Sequence, residues 1–140
     1  MRRFVRRGLG LLLGGVLAVP AAAQRSPTTP AITLQEPRAN PVFPEALVPF
    51  TISPALCRQG HVPFVSLRIY NSLTEPVAAL RLRDRPAIVL DSVPLKCGDY
   101  VALWNGTVSK GTRAASPGLY LFNLSADGER KAQKLLFTTP

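Results

Sequence analysis

The side chains of this chain that could do chemistry are few and far apart. It has one histidine, His61, and two cysteines, Cys57 and Cys97. Asp84, Asp91 and Asp99 lie near one another in sequence and are the candidates for paired-carboxylate hydrolysis. That chemistry requires two of them to meet in a cleft. Each falls instead in an expected turn, where a short acidic side chain bonds its own backbone. His61 follows Gly60, with no nucleophile elbow nearby, no His-x-x-x-His pair and no phosphate-cradling glycine-rich loop in the chain. It is read as a surface histidine. Asn105, Thr107 and Ser109 alternate as oxygen-bearing residues, but a calcium loop needs carboxylates among them. The expectation is no catalytic residue, no metal and no cofactor.

Charge offers a second kind of chemistry. Arg81, Arg83 and Arg85 recur with period two, so an extended strand would point all three to one face. Such a row guards a sheet edge against pairing with another chain. The sharper reading is a patch for an anionic surface polymer or lipid headgroups. Nucleic acid is not an expected partner, because basic and aromatic residues are scarcely interleaved and the chain carries an export signal.

That signal sits at the start. Arg2, Arg3, Arg6 and Arg7 precede the apolar run from Leu9 to Val19, followed by Pro20 and three alanines. A basic segment, an apolar stretch and an Ala-x-Ala ending describe a secretory signal peptide, with cleavage expected after Ala23. The run is shorter than the ~20 apolar residues of a membrane span, so no transmembrane segment is expected after cleavage. No cysteine follows it to carry a lipid anchor. The arginine pairs admit a twin-arginine signal, but neither sits in a complete motif, so the general secretory route is expected. Cleavage removes four of the 17 basic residues and leaves a mature charge of +5. The expected location is periplasmic or extracellular. In an oxidising compartment the isolated pair Cys57 and Cys97 is most simply a disulfide, with two buried free thiols as the alternative.

The mature chain must then position these residues with short elements. Fourteen prolines and ten glycines disfavour long helices. Residues 24–44 contain five prolines and no apolar periodicity, which predicts an extended, solvated leader outside the packed core. Residues 45–140 alternate instead. Leu47–Ser53 reads as an edge strand, because Pro49 cannot donate to a ladder. Phe64–Tyr70, Pro76–Leu80, Ala87–Leu90, Tyr100–Trp104, Leu119–Ser125 and Lys131–Thr138 are further strands, the last two joined by a hairpin at Asp127-Gly128. About seven short strands without an amphipathic helix predict an all-β sandwich. Trp104 ends an alternating strand and is placed as a core plug against Leu67, Ile69, Tyr120 and Phe122. Asn105-Gly106 turns the chain, and Gly111 and Gly118 mark further bends.

The order of motifs carries a resemblance. Val65-Ser-Leu-Arg-Ile-Tyr-Asn71 is followed by Pro76-Val-Ala-Ala-Leu80, then Trp104-Asn-Gly106, Gly111, and Gly118-Leu-Tyr120. This series resembles the immunoglobulin-like domain of the flagellar hook-capping (FlgD-type) family, which also ends many secreted bacterial proteins. The family usually has Asp where this chain has Asn105. The segment from Arg81 to Lys96 is longer than the family's connection, and Cys97 has no counterpart in it. The resemblance implies an immunoglobulin-like or fibronectin-III-like sandwich. It also implies a non-enzymatic structural or docking role with a protein partner in a cell-envelope or secreted assembly. The competing readings are a small carboxylate-dependent hydrolase or carbohydrate-active protein, and a C-terminal secretion-sorting domain.

Overall fold

Period-two alternation organises the chain. Along Ala46–Ile52 every second residue is buried and those between are half-exposed. The same pattern along Gly118–Ala126 turns Tyr120, Phe122, Leu124 and Ala126 inward. A strand of this kind has one apolar face, which is stable only against another. The computed structural model, which describes residues 29–109 and 111–138, meets that requirement with an all-β sandwich of antiparallel sheets. The expected signal peptide, residues 1–23, and positions 24–28 lie outside the described residues.

Twelve strands form among the described residues: β1 (Ile32–Leu34), β2 (Arg38–Ala39), β3 (Ala46–Ile52), β4 (Phe64–Tyr70), β5 (Pro76–Ala79), β6 (Arg81–Leu82), β7 (Val93–Pro94), β8 (Gly98–Trp104), β9 (Thr107–Val108), β10 (Arg113–Ala114), β11 (Gly118–Ala126) and β12 (Glu129–Phe137). The first sheet runs β1–β3–β8–β6, with β2 also on β3. The second runs β12–β11–β4–β5, with β7 also on β4, and β9 and β10 form a small ladder of their own. Between β5 and β6 the chain crosses from the second sheet to the first through Leu80, which is fully buried. Asp127 and Gly128 join β11 to β12 with φ of 48° and 85°. Two successive positive φ values are what a two-residue hairpin turn requires.

Trp104 is 1% exposed. Its ring lies 5.6 Å from that of Tyr120 and 5.7 Å, edge-on, from that of Phe122, so it joins the first sheet to the second. The indole N–H donates to the carbonyl of Thr107 at 2.8 Å, which satisfies its one polar group. On the far side of the first sheet's inner face Phe50 stacks on Tyr100 at 5.4 Å.

Several expectations are corrected. The leader does not stay outside the core: Ile32 and Leu34 are 1% and 6% exposed, and β1 pairs antiparallel with β3. Its prolines permit this, because Pro30 and Pro37 flank the Ile-Thr-Leu run rather than interrupt it. β3 is consequently not an edge strand but lies between β1 and β8. Pro49 fits there because its carbonyl accepts from Gln35 N–H at 3.0 Å. The one bond forgone is the reciprocal one, from position 49 to Gln35 C=O, and it falls where the β1–β3 ladder ends. Ala87–Leu90 is not a strand. It makes one isolated bridge, Arg81 to Val89, since the turn at Pro86-Ala87 leaves too few residues for a ladder. Its backbone is still used: Leu90 N–H donates to Leu80 at 2.8 Å, and Leu90 C=O accepts from Leu67 at 2.9 Å.

Cys57 lies in a short 3-10 segment, Pro54–Gly60, that follows β3, and Cys97 immediately precedes β8. They form a disulfide. Because Ile52 pairs with Gly98, the bridge staples the end of the β3–β8 ladder opposite Trp104.

Two outcomes follow from this core. Trp104→Ala is expected to cost about 3–5 kcal/mol, transfer energy and cavity together, and to leave a domain of ordinary stability near its unfolding limit. In the wild type, tryptophan emission should be blue-shifted and resist acrylamide; a red-shifted, readily quenched spectrum contradicts the plug. Reduction of the bridge, which spans 40 residues, is expected to lower stability by about 4 kcal/mol in the chain-entropy account. Circular dichroism should retain its β signature, and thiol labelling of the denatured, unreduced protein should find no free cysteine.

Candidate functional site

The register of the first sheet builds a two-sided surface. Inward residues of β3 and β8 form the core, so Leu47, Pro49, Thr51, Asp99, Val101 and Leu103 face outward. Leu47 lies opposite Leu103, and Pro49 opposite Val101. These four half-buried apolar side chains form a strip two strands wide. Arg38 of β2 is in register with Leu47 on one flank. Arg81 of β6 is in register with Leu103 on the other. One row across the sheet thus reads Arg38, Leu47, Leu103, Arg81.

The strip opens at one end into a cleft of about 460 Å³, lined by Pro49, Thr51 and Val101 and walled by Gln35, Arg83 and Arg85. The strand expected through Arg85 ends at Leu82, because the chain bends at Arg83-Asp84. Arg83 N–H nonetheless donates to Val101 C=O at 2.9 Å. Arg81 therefore stands beside Leu103, while Arg83 and Arg85 border the cleft. Arg81 also donates to the carbonyl of Pro86 at 2.9 Å, which holds the bend. Arg85 acts on Tyr100 as well: burial pushes the Tyr100 hydroxyl above the ordinary phenol range, and the nearby guanidinium opposes it. The Tyr100 hydroxyl donates to Lys96 C=O at 2.5 Å.

The aspartates are tied separately. Asp84 accepts from Arg83 at 3.2 Å. Asp99, expected in a turn, lies within β8 and accepts from the Thr51 hydroxyl at 2.7 Å. Asp84 and Asp99 both line the cleft. Asp91 lies on the other sheet's side, where it accepts from Arg68 Nε at 3.1 Å and again from Nη2. That carboxylate raises the Arg68 pKa further above its ordinary value. His61, exposed as expected, is not isolated: its Nε2 lies 2.6 Å from Asp127 of the hairpin turn. Among the described residues no group of three His, Cys, Asp or Glu side chains could hold a metal ion. No helix among them is long and apolar enough to cross a membrane.

The Trp104 turn serves the core. Asn105 Oδ1 accepts from Thr107 N–H at 3.1 Å and from its hydroxyl at 2.6 Å. Those bonds turn the chain so that the Thr107 carbonyl meets the indole. Gly106 has φ of 80°, and a Cβ there would sit 3.0 Å from Pro44 Cγ. Gly111 takes φ of 85° in the bend expected of it, whereas Gly118, with φ of 151°, opens β11 opposite Phe137 instead of marking a bend. Tyr120 donates its hydroxyl to Ser116 C=O at 2.6 Å.

Arg38 and the apolar strip escape a sequence reading. Arg38 acquires a role only once the proline-rich segment pairs with β3, and Leu47 and Leu103 meet only through the β3–β8 register. In comparisons with known proteins, the chain matches no family model, no curated protein and no solved structure.

Gly106 and Gly60 share φ of 80°, but a Cβ at Gly60 meets nothing within 4 Å. Left-handed backbone costs an L-residue about 1–2 kcal/mol. Gly60→Ala should lose about that much in urea unfolding, and Gly106→Ala should lose more. Equal losses would show that contact with Pro44 contributes nothing.

Proposed function

We propose that this chain is an exported, non-enzymatic interaction module with an immunoglobulin-like sandwich, acting as an accessory part of a bacterial cell-envelope or secreted assembly. The strand order supports the architecture. A sheet of first, second, fifth and fourth strands against one of third, sixth and seventh is the constant-type immunoglobulin arrangement. β1–β3–β8–β6 and β12–β11–β4 follow it when the short extra strands are set aside. The Tyr120 hydroxyl bonded back to Ser116, near the start of β11, has the form of that fold's tyrosine corner. The bridge differs from the antibody pattern, since Cys57–Cys97 joins neighbouring ends of one sheet rather than two sheets. A disulfide suits an oxidising, exported setting. The flagellar hook-capping resemblance accords with this reading, although Asn105 removes the charge that family usually carries there.

One observation carries the functional part. The outer face of the first sheet presents apolar side chains flanked by arginines that the core does not use. The carboxylates, by contrast, are engaged by separate local partners. Such a face is suited to holding a partner, and the module reading assigns it that task.

Placing a photo-cross-linking residue at Leu103, with Leu136 on the opposite sheet as control, tests this in the producing cell. The expected result is one discrete adduct from position 103, lost on Arg81→Glu, in protein whose mature N-terminus is Gln24. Absence of an adduct, together with hydrolase turnover abolished by Asp84→Ala or Asp99→Ala, overturns the module reading.

A further inference from the structure

We infer that the outer face of the first sheet receives an amphipathic helix of a partner protein, its apolar seam on Leu47, Pro49, Val101 and Leu103 and its acidic flanks against Arg38 and Arg81. This rests on the interaction-module reading and names the chemistry of the partner.

The dimensions favour a helix. Arg38 and Arg81 are in register on strands three spacings apart, which sets them ~14 Å apart at the usual strand separation. A helix with its side chains is about 10–12 Å wide, which is less than the spacing of the two strands that carry the arginines. Along the strands, the Leu47–Leu103 row is two residues from the Pro49–Val101 row, or ~7 Å. Residues i and i+4 of a helix are about 6 Å apart along its axis. Two successive seam residues therefore meet two successive rows.

The other occupants fit less well. An extended peptide binds a sheet through a free strand edge, and the edge strands beside this strip, β2 and β6, have only two residues each. A membrane surface takes apolar side chains that protrude. Here the strip is half-buried between arginines, while the protruding Leu119 and Leu136, 43% and 67% exposed, stand opposite each other on the second sheet. A glycan would call for an exposed aromatic ring on this face, but Tyr100 turns inward onto Phe50 and the exposed Phe64 begins β4 of the second sheet. Charge selects acidic flanks. Arg83 is paired with Asp84, and the Asp99 carboxylate, which keeps its charge while accepting from Thr51, stands with Arg85 at the cleft end of the strip rather than in the Arg38–Arg81 row. No side-chain ion pair of Arg38 or Arg81 occurs among the described residues.

The test uses the disulfide-bonded mature chain and two synthetic helical peptides with the same leucine seam, one flanked by glutamates and the other by lysines. Titration calorimetry should give at least tenfold tighter binding of the glutamate peptide, with amide shifts centred on Leu47, Val101 and Leu103. Arg38→Glu combined with Arg81→Glu should reverse the preference, while Trp104 emission stays at its wild-type value and the unfolding temperature falls by no more than the few degrees that one exposed hydrogen bond, Arg81 to Pro86 C=O, is worth. Equal affinities, no binding of either peptide, or shifts centred on Leu119 and Leu136 would overturn the assignment. So would arginine-dependent binding to phosphatidylglycerol vesicles without a peptide preference. An adduct from position 103 in cells, with no preference between the peptides, would sink the helix while leaving the module reading intact.

Discussion

The seven-residue pairing of β3 with β8, from Ala46 opposite Trp104 to Ile52 opposite Gly98, is the constraint on which the other features depend. Side chains alternate with period two, so a slip of one residue in either strand would exchange its buried and exposed sets. Phe50 and Trp104 would face water, and Leu47 and Leu103 would enter the core. The two ends of the ladder are fixed by different means. At one, Trp104 packs across to the second sheet and bonds Thr107. At the other, Cys57–Cys97 ties the segments just outside the ladder. Local opening begins where few buried contacts hold a segment, and this ladder has no such end.

The outer surface is a consequence of that register. Leu47 meets Leu103 because Val48 and Ala102 must face inward, and the same pairing sets β2 and β6 on either flank. A residue in the proline-rich segment, Arg38, and one in the long connection after β5, Arg81, are thereby brought to the two sides of one strip. They are 43 positions apart in the chain. The core and the surface are two readings of a single pairing. A substitution that alters the register cannot spare the surface, whereas Arg38 and Arg81 can be changed without touching the core.

What could be read from the residues follows from how local each signal is. The alternation in Phe64–Tyr70 and Leu119–Ser125, the Asp127-Gly128 turn and the burial of Trp104 are encoded within a few neighbours, and the structure agrees with each. The disulfide was legible because two cysteines leave only one intramolecular pair. β1 was hidden, because a three-residue strand between prolines has too little alternation to stand out from a solvated segment. Pro49 misleads for a related reason: proline signals a missing donor, but not which neighbour that donor would face. Ala87–Leu90 has strand-like composition, yet its backbone bonds serve Leu67, Leu80 and Leu82 from a bent segment, which periodicity cannot distinguish from a ladder. The arginine–leucine row is long-range at every step, so no window of sequence contains it.

The arginines also bear on how the sheets avoid unwanted pairing. An edge strand invites another chain in proportion to its length and flatness, and cations are a common guard. β12 is such an edge: nine residues, no proline, and Arg130, Lys131 and Lys134 along it. Those cations lie where a guard is needed. β2 and β6 have two residues each, too short to template a ladder, and the chain bends away after both. Arg38 and Arg81 therefore guard little at the edges they occupy. Their register with Leu47 and Leu103 sets them on the same face as the strip, and edge protection gives no reason for apolar residues to lie between two arginines on a solvent-facing sheet. Recognition of an acidic, apolar-seamed partner gives one.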